Sequence, residues 1–207
     1  MKSKDFKKYF SSALDIVKLN PKEIIKVAKD KDATLWGLIF VVVAGLATAI
    51  GALITNGIKM PILYRTTLGM PKFSDIVVMP IGYLLWTFIF IGILWVLAKL
   101  FGGKARFVEH YRAQSLGLVV YWIGVIPIIG PMILWIAELW YLVMSVFIIK
   151  NVHKLKTWQA VLVVLIPIIV IVILIAIFIA ALVTWFVAMG ITTPEELEQL
   201  KQLATMT

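Results

Sequence analysis

Five long apolar runs, roughly Leu35–Ile54, Ile76–Ala98, Gln114–Ile129, Met132–Ile149 and Val161–Val187, alternate along this chain with short polar stretches. A helix needs about 20 mostly apolar residues to cross the ~30 Å hydrocarbon core of a bilayer at 1.5 Å rise per residue. The first, second and fifth runs meet that length; the third and fourth are shorter. Ile126-Pro127-Ile128-Ile129-Gly130-Pro131 joins those two without a single charge, which predicts a tight helical hairpin. The expected fold class is all-α: an integral membrane five-helix bundle with N-terminal cytoplasmic amphipathic helices. Residues 1–33 read as interfacial helices, 34–190 as the five-span domain and 191–207 as a short external polar tail.

Ahead of the first run the pattern changes. Phe6, Tyr9, Phe10, Ala13, Leu14 and Val17 recur at helical spacing and form one apolar stripe, with Lys4, Lys7, Lys8 and Asp15 elsewhere. Asn20-Pro21 breaks the stripe. Asn20 reads as the cap of a second helix, with Pro21 at its first position and Glu23 as the reciprocal member of a capping box. Lysines around an apolar stripe suit a helix lying in the headgroup plane, so Phe6, Tyr9, Phe10, Leu14, Val17, Lys7 and Lys8 are the candidate lipid-interface residues. A cap packed on the bundle's own loops is the other reading. Lysines continue to Lys31 before any apolar run, so the opening residues do not read as a secretory signal.

Composition agrees with the pattern. Of 207 residues 62% are hydrophobic and mean hydropathy is +1.00, too apolar for a water-facing surface. Without cysteine, disulfide and thiolate chemistry is excluded. The net charge of +9 is one-sided: with the N-terminus in the cytoplasm, sixteen of the 20 Lys and Arg fall in cytoplasmic segments and four outside. The positive-inside rule then predicts five spans in the cell membrane, N-terminus cytoplasmic and C-terminus external. The basic excess points to anionic lipid as partner; no aromatic-interleaved basic platform suggests nucleic acid.

Small residues Ala44, Thr48 and Ala52, beside Gly45 and Ala49, mark a close-packing face on the first span, expected to pack within the chain. Gly57, Pro61, Gly69 and Pro71 predict an irregular external loop. Pro80 and Pro167 lie inside spans, where a kink is tolerated. Trp122, Trp135, Trp140, Trp158 and Trp185 stand near helix ends, as interfacial belts do. Thr193-Pro194-Glu195-Glu196 predicts a short capped helix in the tail.

Glu138 is the one acidic residue embedded in a span. At 1.5 Å per residue it lies about 12 Å from the Gly130 turn, near mid-membrane. An unpartnered carboxylate there costs on the order of 3 kcal/mol, so Glu138 is expected to be protonated or partnered. Counting back equally from the turn sets Tyr121 at the same depth; Tyr141 and Ser145 share the Glu138 face, and Tyr83 and Gln114 are further candidates. The plainer reading is a hydrogen-bonded carboxyl that pins the bundle; the sharper one is a proton or cation site in a small transporter or channel. His110 and His153, at the cytoplasmic edge, read as surface histidines, short of a zinc set. No catalytic motif is present, so neither enzyme activity, cofactor nor metal is expected.

Phe101-Gly102-Gly103-Lys104, Gly117 to Pro131 with Tyr121, Pro127 and Gly130, Trp135 to Tyr141, and Val152 to Ala160 resemble the Yip family of Rab/Ypt-interacting membrane proteins in its prokaryotic branch. The resemblance covers about 20–190 and implies five spans with a cytoplasmic N-terminus. Eukaryotic members bind prenylated Rab GTPases. Their Asp-Leu-Tyr-Gly-Pro motif is missing here, and their Gly-Tyr element stands as Val120-Tyr121-Trp122, so Rab binding does not carry over. The expected role is membrane organisation or shaping, or scaffolding of a membrane-protein partner or a second copy.

Overall fold

The computed structural model describes residues 3–57, 72–189 and 202. Its elements are α1 (Ser3–Val17), α2 (Pro21–Lys29), α3 (Ala33–Gly57), α4 (Asp75–Leu100), α5 (Phe107–Leu116), a 3-10 helix η1 (Gly117–Val125), α6 (Ile129–His153) and α7 (Thr157–Ala188). No strand occurs among the described residues. Most of the expected external loop, at 58–71, and the tail helix expected from Thr193 lie outside them. The chain divides into two compact units, residues 1–164 and 165–207; the core described below belongs to the first.

Four helices, α3, α4, α6 and α7, are long and apolar enough to cross a membrane. The third run is not a fifth α-helix of that kind. It is built as α5 followed by nine residues of 3-10 helix. A 3-10 helix rises about 2.0 Å per residue against 1.5 Å in an α-helix, so a short run covers more length. The pair runs antiparallel to α6 in steady register: His110 meets His153, Gln114 meets Ser145, and Tyr121 meets Glu138.

So long a 3-10 stretch is uncommon and needs support from its neighbours. Trp122 Nε1 donates to the Phe40 carbonyl at 3.2 Å. A Cβ on Gly51 would stand 1.8 Å from the Gly124 carbonyl oxygen, so only glycine lets α3 approach η1 this closely. Gly45 plays the same part toward α4, where a Cβ would meet Pro80 Cα at 2.5 Å. The hairpin turn is sharp. Ile128 adopts φ 67° and ψ −59°, and Ile129 N–H donates to the Pro127 carbonyl at 2.7 Å, a three-residue turn that a β-branched residue enters only under strain.

The head folds back on the bundle. Asn20 caps α2 by accepting from Lys22 N–H at 3.1 Å. Glu23 does not complete a capping box: it accepts from Ser12 Oγ at 2.6 Å and pairs with Lys26 at 2.9 Å, tying α1 to α2. Tyr9, Ala13 and Ile16 from α1 and Ile24, Val27 and Ala28 from α2 join the core with Trp36, Phe40, Leu116 and Met144. Against water, each fully buried isoleucine is worth about 1.5–3 kcal/mol. Arg112 on α5 latches the elbow between α2 and α3, its Nε donating to Thr34 Oγ1 at 2.8 Å and Nη1 to the Ala28 carbonyl at 3.2 Å.

Candidate functional site

Glu138 projects from the middle of α6, and the Tyr121 hydroxyl on η1 donates to its Oε2. No described residue hydrogen-bonds its other oxygen, which leaves that oxygen to the surroundings. These surroundings are a cleft of about 320 Å³ between α4 and α6, floored by η1. Tyr83, Trp86 and Phe90 line it from α4, Leu118 and Tyr121 from the floor, and Glu138 and Tyr141 from α6. Tyr121 packs edge-on to both Tyr83 and Tyr141, with ring centroids 6.1 and 5.5 Å apart.

The other candidate polar residues serve different contacts. Tyr83 meets Thr48 Oγ1 at 3.0 Å, joining α4 to α3. Tyr141 donates to the Gln114 carbonyl at 3.3 Å while its ring faces the cleft. Ser145 is buried one turn further on and accepts from Gln114 Nε2 at 2.6 Å, so it lies off the cleft. Of the α4 wall, Tyr83 alone was expected near Glu138. The wall's signal was present all the same, since Tyr83, Trp86, Thr87 and Phe90 recur at one-face helical spacing.

The histidines depart from expectation. His110 and His153 are fully buried and face each other, His153 Nε2 to His110 Nδ1 at 3.3 Å. Lysines on either side made a surface position look natural. The Gly102-Gly103 turn instead folds over them: a Cβ on Gly103 would stand 2.5 Å from His153 Nδ1, and Lys104 N–H donates to the His153 carbonyl at 3.2 Å. Burial first, and then the neighbouring imidazole, pull His110 from 6.5 down to about 3. The unfolded chain therefore takes up this proton near pH 6.5 and the folded chain does not, so stability is present above 6.5 and drains away as pH falls toward 3. The thermal midpoint should drop on acidification from pH 7 to 4, and His110→Phe should flatten that slope.

On the head, the residues expected at the lipid interface divide. Tyr9 is 2% exposed and is turned inward, stacked on Trp36 at 5.2 Å, so it does not face lipid. Its hydroxyl and Lys8 Nζ both donate to Asp30 Oδ2 at 2.8 Å, and the bond to Asp30 holds the Lys8 ammonium above its ordinary value. Phe10 and Val17 are half-buried, Phe10 against Trp122 at 5.8 Å. Phe6 and Leu14 are each 40% exposed, and Lys7 is exposed beside them. Trp140 Nε1 donates to the Val17 carbonyl at 3.1 Å, so this indole anchors the head from the middle of α6 and does not stand near a helix end as expected.

Position along the helices sets the depth of α1. Phe40, in contact with Trp122 and through it with Phe10, lies about 10 Å along α3 from its start; Trp140 lies about 20 Å along α6 from its end. The helix thus crosses the flank of the bundle within the stretch occupied by the apolar runs. Among the described residues no group of three or more His, Cys, Asp or Glu side chains is placed to hold a metal.

Long apolar helices packed through glycine contacts, with a docked basic head, define a multi-pass helical membrane protein. The chain belongs to the Yip1 domain family, which matches residues 14–179. Members of that family are in general not enzymes. No curated protein and no solved structure matches the chain.

Proposed function

We propose that this protein organises or shapes the membrane it spans, by widening its own cross-section in one leaflet. The observation that carries this reading is α1, laid across the bundle at apolar depth with Phe6 and Leu14 left part-exposed. An amphipathic helix in that position displaces lipid from one leaflet only, and its exposed lysines favour anionic headgroups by about 1 kcal/mol each. We take Gln114–Ile129, the end of α5 with η1 and its turn, as a third crossing, giving five, with the head in the cytoplasm, the C-terminus external and the cell membrane as location. The steady register along α6 and the one-sided distribution of Lys and Arg support this. A scaffold for a membrane-protein partner or a second copy would use the same docked head, and no Rab partner is invoked.

The full chain, reconstituted into anionic vesicles of mixed size, should be enriched per lipid in the smallest ones. Phe6→Ser with Leu14→Ser, both at part-exposed positions, should remove at least half of that enrichment. Native protein spread evenly over all sizes would rule the reading out.

The cleft favours a second reading, a small transporter or channel with a proton or cation site at Glu138. An intramembrane ionisable group beside a cavity marks a functional site by default. Cation flux into proteoliposomes should then be lost in Glu138→Gln; flux that persists in this variant excludes Glu138 as the site.

A further inference from the structure

The geometry points to the α4–α6 cleft as a binding site for an organic cation: an amine or quaternary ammonium group carried on an apolar body, with its head at Glu138. The inference rests on the second reading in giving Glu138 a ligand, and it does not require transport. Three features of the cleft select this chemistry.

The first is charge. Tyr121 occupies one carboxyl oxygen and no described residue bonds the other, so the cleft presents a single acceptor of negative character. Anions are excluded by that group. A lipid tail fills space but offers the carboxyl nothing in a medium where an unpartnered ion is costly.

The second is the lining. Tyr83, Trp86, Phe90, Tyr121 and Tyr141 line the cleft with rings on the side of the exposed acid that faces it, and the faces of aromatic rings attract cations within about 6 Å. Hard metal ions ask for six or more oxygens, which this wall of rings does not supply. An alkylated ammonium asks for the reverse, one carboxylate and several ring faces.

The third is access. The cleft opens at an apolar, exposed side chain: Trp86 is 62% exposed, and its helix neighbours Leu85 and Ile89, like Ile136 and Leu139 beside Glu138 in sequence, are exposed apolar residues too. A ligand entering past such residues needs an apolar body. The volume, about 320 Å³, falls at the small end of ordinary ligand pockets, enough for the head and the first part of a chain. Gly82 adds to the room, since a Cβ there would meet nothing within 4 Å.

The test is equilibrium binding of radiolabelled hexyltrimethylammonium to the full chain in detergent micelles. Its uncharged isostere, the same chain ending in a tert-butyl group, serves as competitor. Saturable binding at one site per chain is expected, with little competition from the isostere. Glu138→Gln should weaken it at least tenfold and Trp86→Leu several-fold. Gly82→Leu fills the cleft without touching the acid and should abolish binding while leaving the thermal midpoint near the native value. Adding ethanolamine-headed phospholipid to the micelles identifies the source: competition assigns the site to a membrane lipid's amine, and its absence assigns it to a free amine. An isostere that competes as well as the cation, or native-like binding by Glu138→Gln, would overturn the proposal. Binding without flux in proteoliposomes would retire the transport reading and leave this site standing; flux without binding would do the opposite.

Discussion

Replacing Gly51 with valine should cost upwards of about 3 kcal/mol of stability, because overpacking here drives a side chain into backbone. The first carbon of any side chain at this position would stand 1.8 Å from the Gly124 carbonyl oxygen, with Val125 close behind. A flexible neighbour would rotate away; a carbonyl of η1 cannot, because Trp122, Tyr121 and the strained turn at Ile128 fix that segment on both sides of it. Helices in a bilayer gain nothing from leaving water, so close van der Waals approach holds α3 to η1 and to Pro80 of α4. Gly45→Val should be damaging for the same reason. Gly92→Ala is the control: a Cβ there meets nothing within 4 Å, and alanine gains about 0.5–1 kcal/mol over glycine inside a helix. The measurement is the denaturation midpoint of each purified variant in detergent. A native-like Gly51→Val would mean that α3 and η1 do not touch where the structure has them.

What the sequence revealed and what it concealed follow from how local each signal is. The cap at Asn20 and the break at Ile126–Pro131 are written in neighbouring residues, and α1, α2, α3, α4 and α7 follow those signals; α6, at 25 residues, is longer than its apolar run, because the helix continues through Lys150, Asn151 and His153. The depth of Tyr121 against Glu138 needed one step more, an equal count on both sides of a turn, and the two side chains are hydrogen-bonded in the structure. The 3-10 form of Gly117–Val125 was not readable. An apolar run does not declare its rise per residue.

Burial of the histidines was hidden for a related reason. Lys99, Lys104, Lys150 and Lys154 flank them in sequence, yet the Gly102-Gly103 turn, distant in sequence from His153, closes over that residue. In the head, periodicity gave the stripe but could not say what it faced. Only the tertiary contacts divide it into an inner edge, Tyr9, Ala13 and Ile16, and an outer one, Phe6 and Leu14. The α4 wall of the cleft illustrates a third kind of loss: its aromatic spacing was legible, but nothing local tied it to Glu138 on another helix.

Arg112→Met should release the head. Arg112 is 8% exposed, and its guanidinium has no carboxylate within ion-pair distance among the described residues; it is held by Thr34 and the Ala28 carbonyl. That carbonyl belongs to the last turn of α2, where no helical N–H follows to satisfy it. Removing the arginine deletes hydrogen bonds to a charged donor, worth about 1.5–3 kcal/mol each, and strands a carbonyl in a closed site. Methionine keeps the apolar stem, so the loss falls on the latch rather than on packing. Hydrogen exchange of α1 and α2 should accelerate at least tenfold while the α6 amides around Glu138 stay protected. Unchanged exchange in the head would mean that the core contacts of Ile16 and Ile24 hold it without the latch. The same variant separates two ways of shaping a membrane. If α1 bends the bilayer because it is fixed against the bundle, Arg112→Met loses its preference for small vesicles as Phe6→Ser with Leu14→Ser does. If the helix acts as a free insert, release would preserve or strengthen that preference, and the docked position would be a resting state rather than the working one.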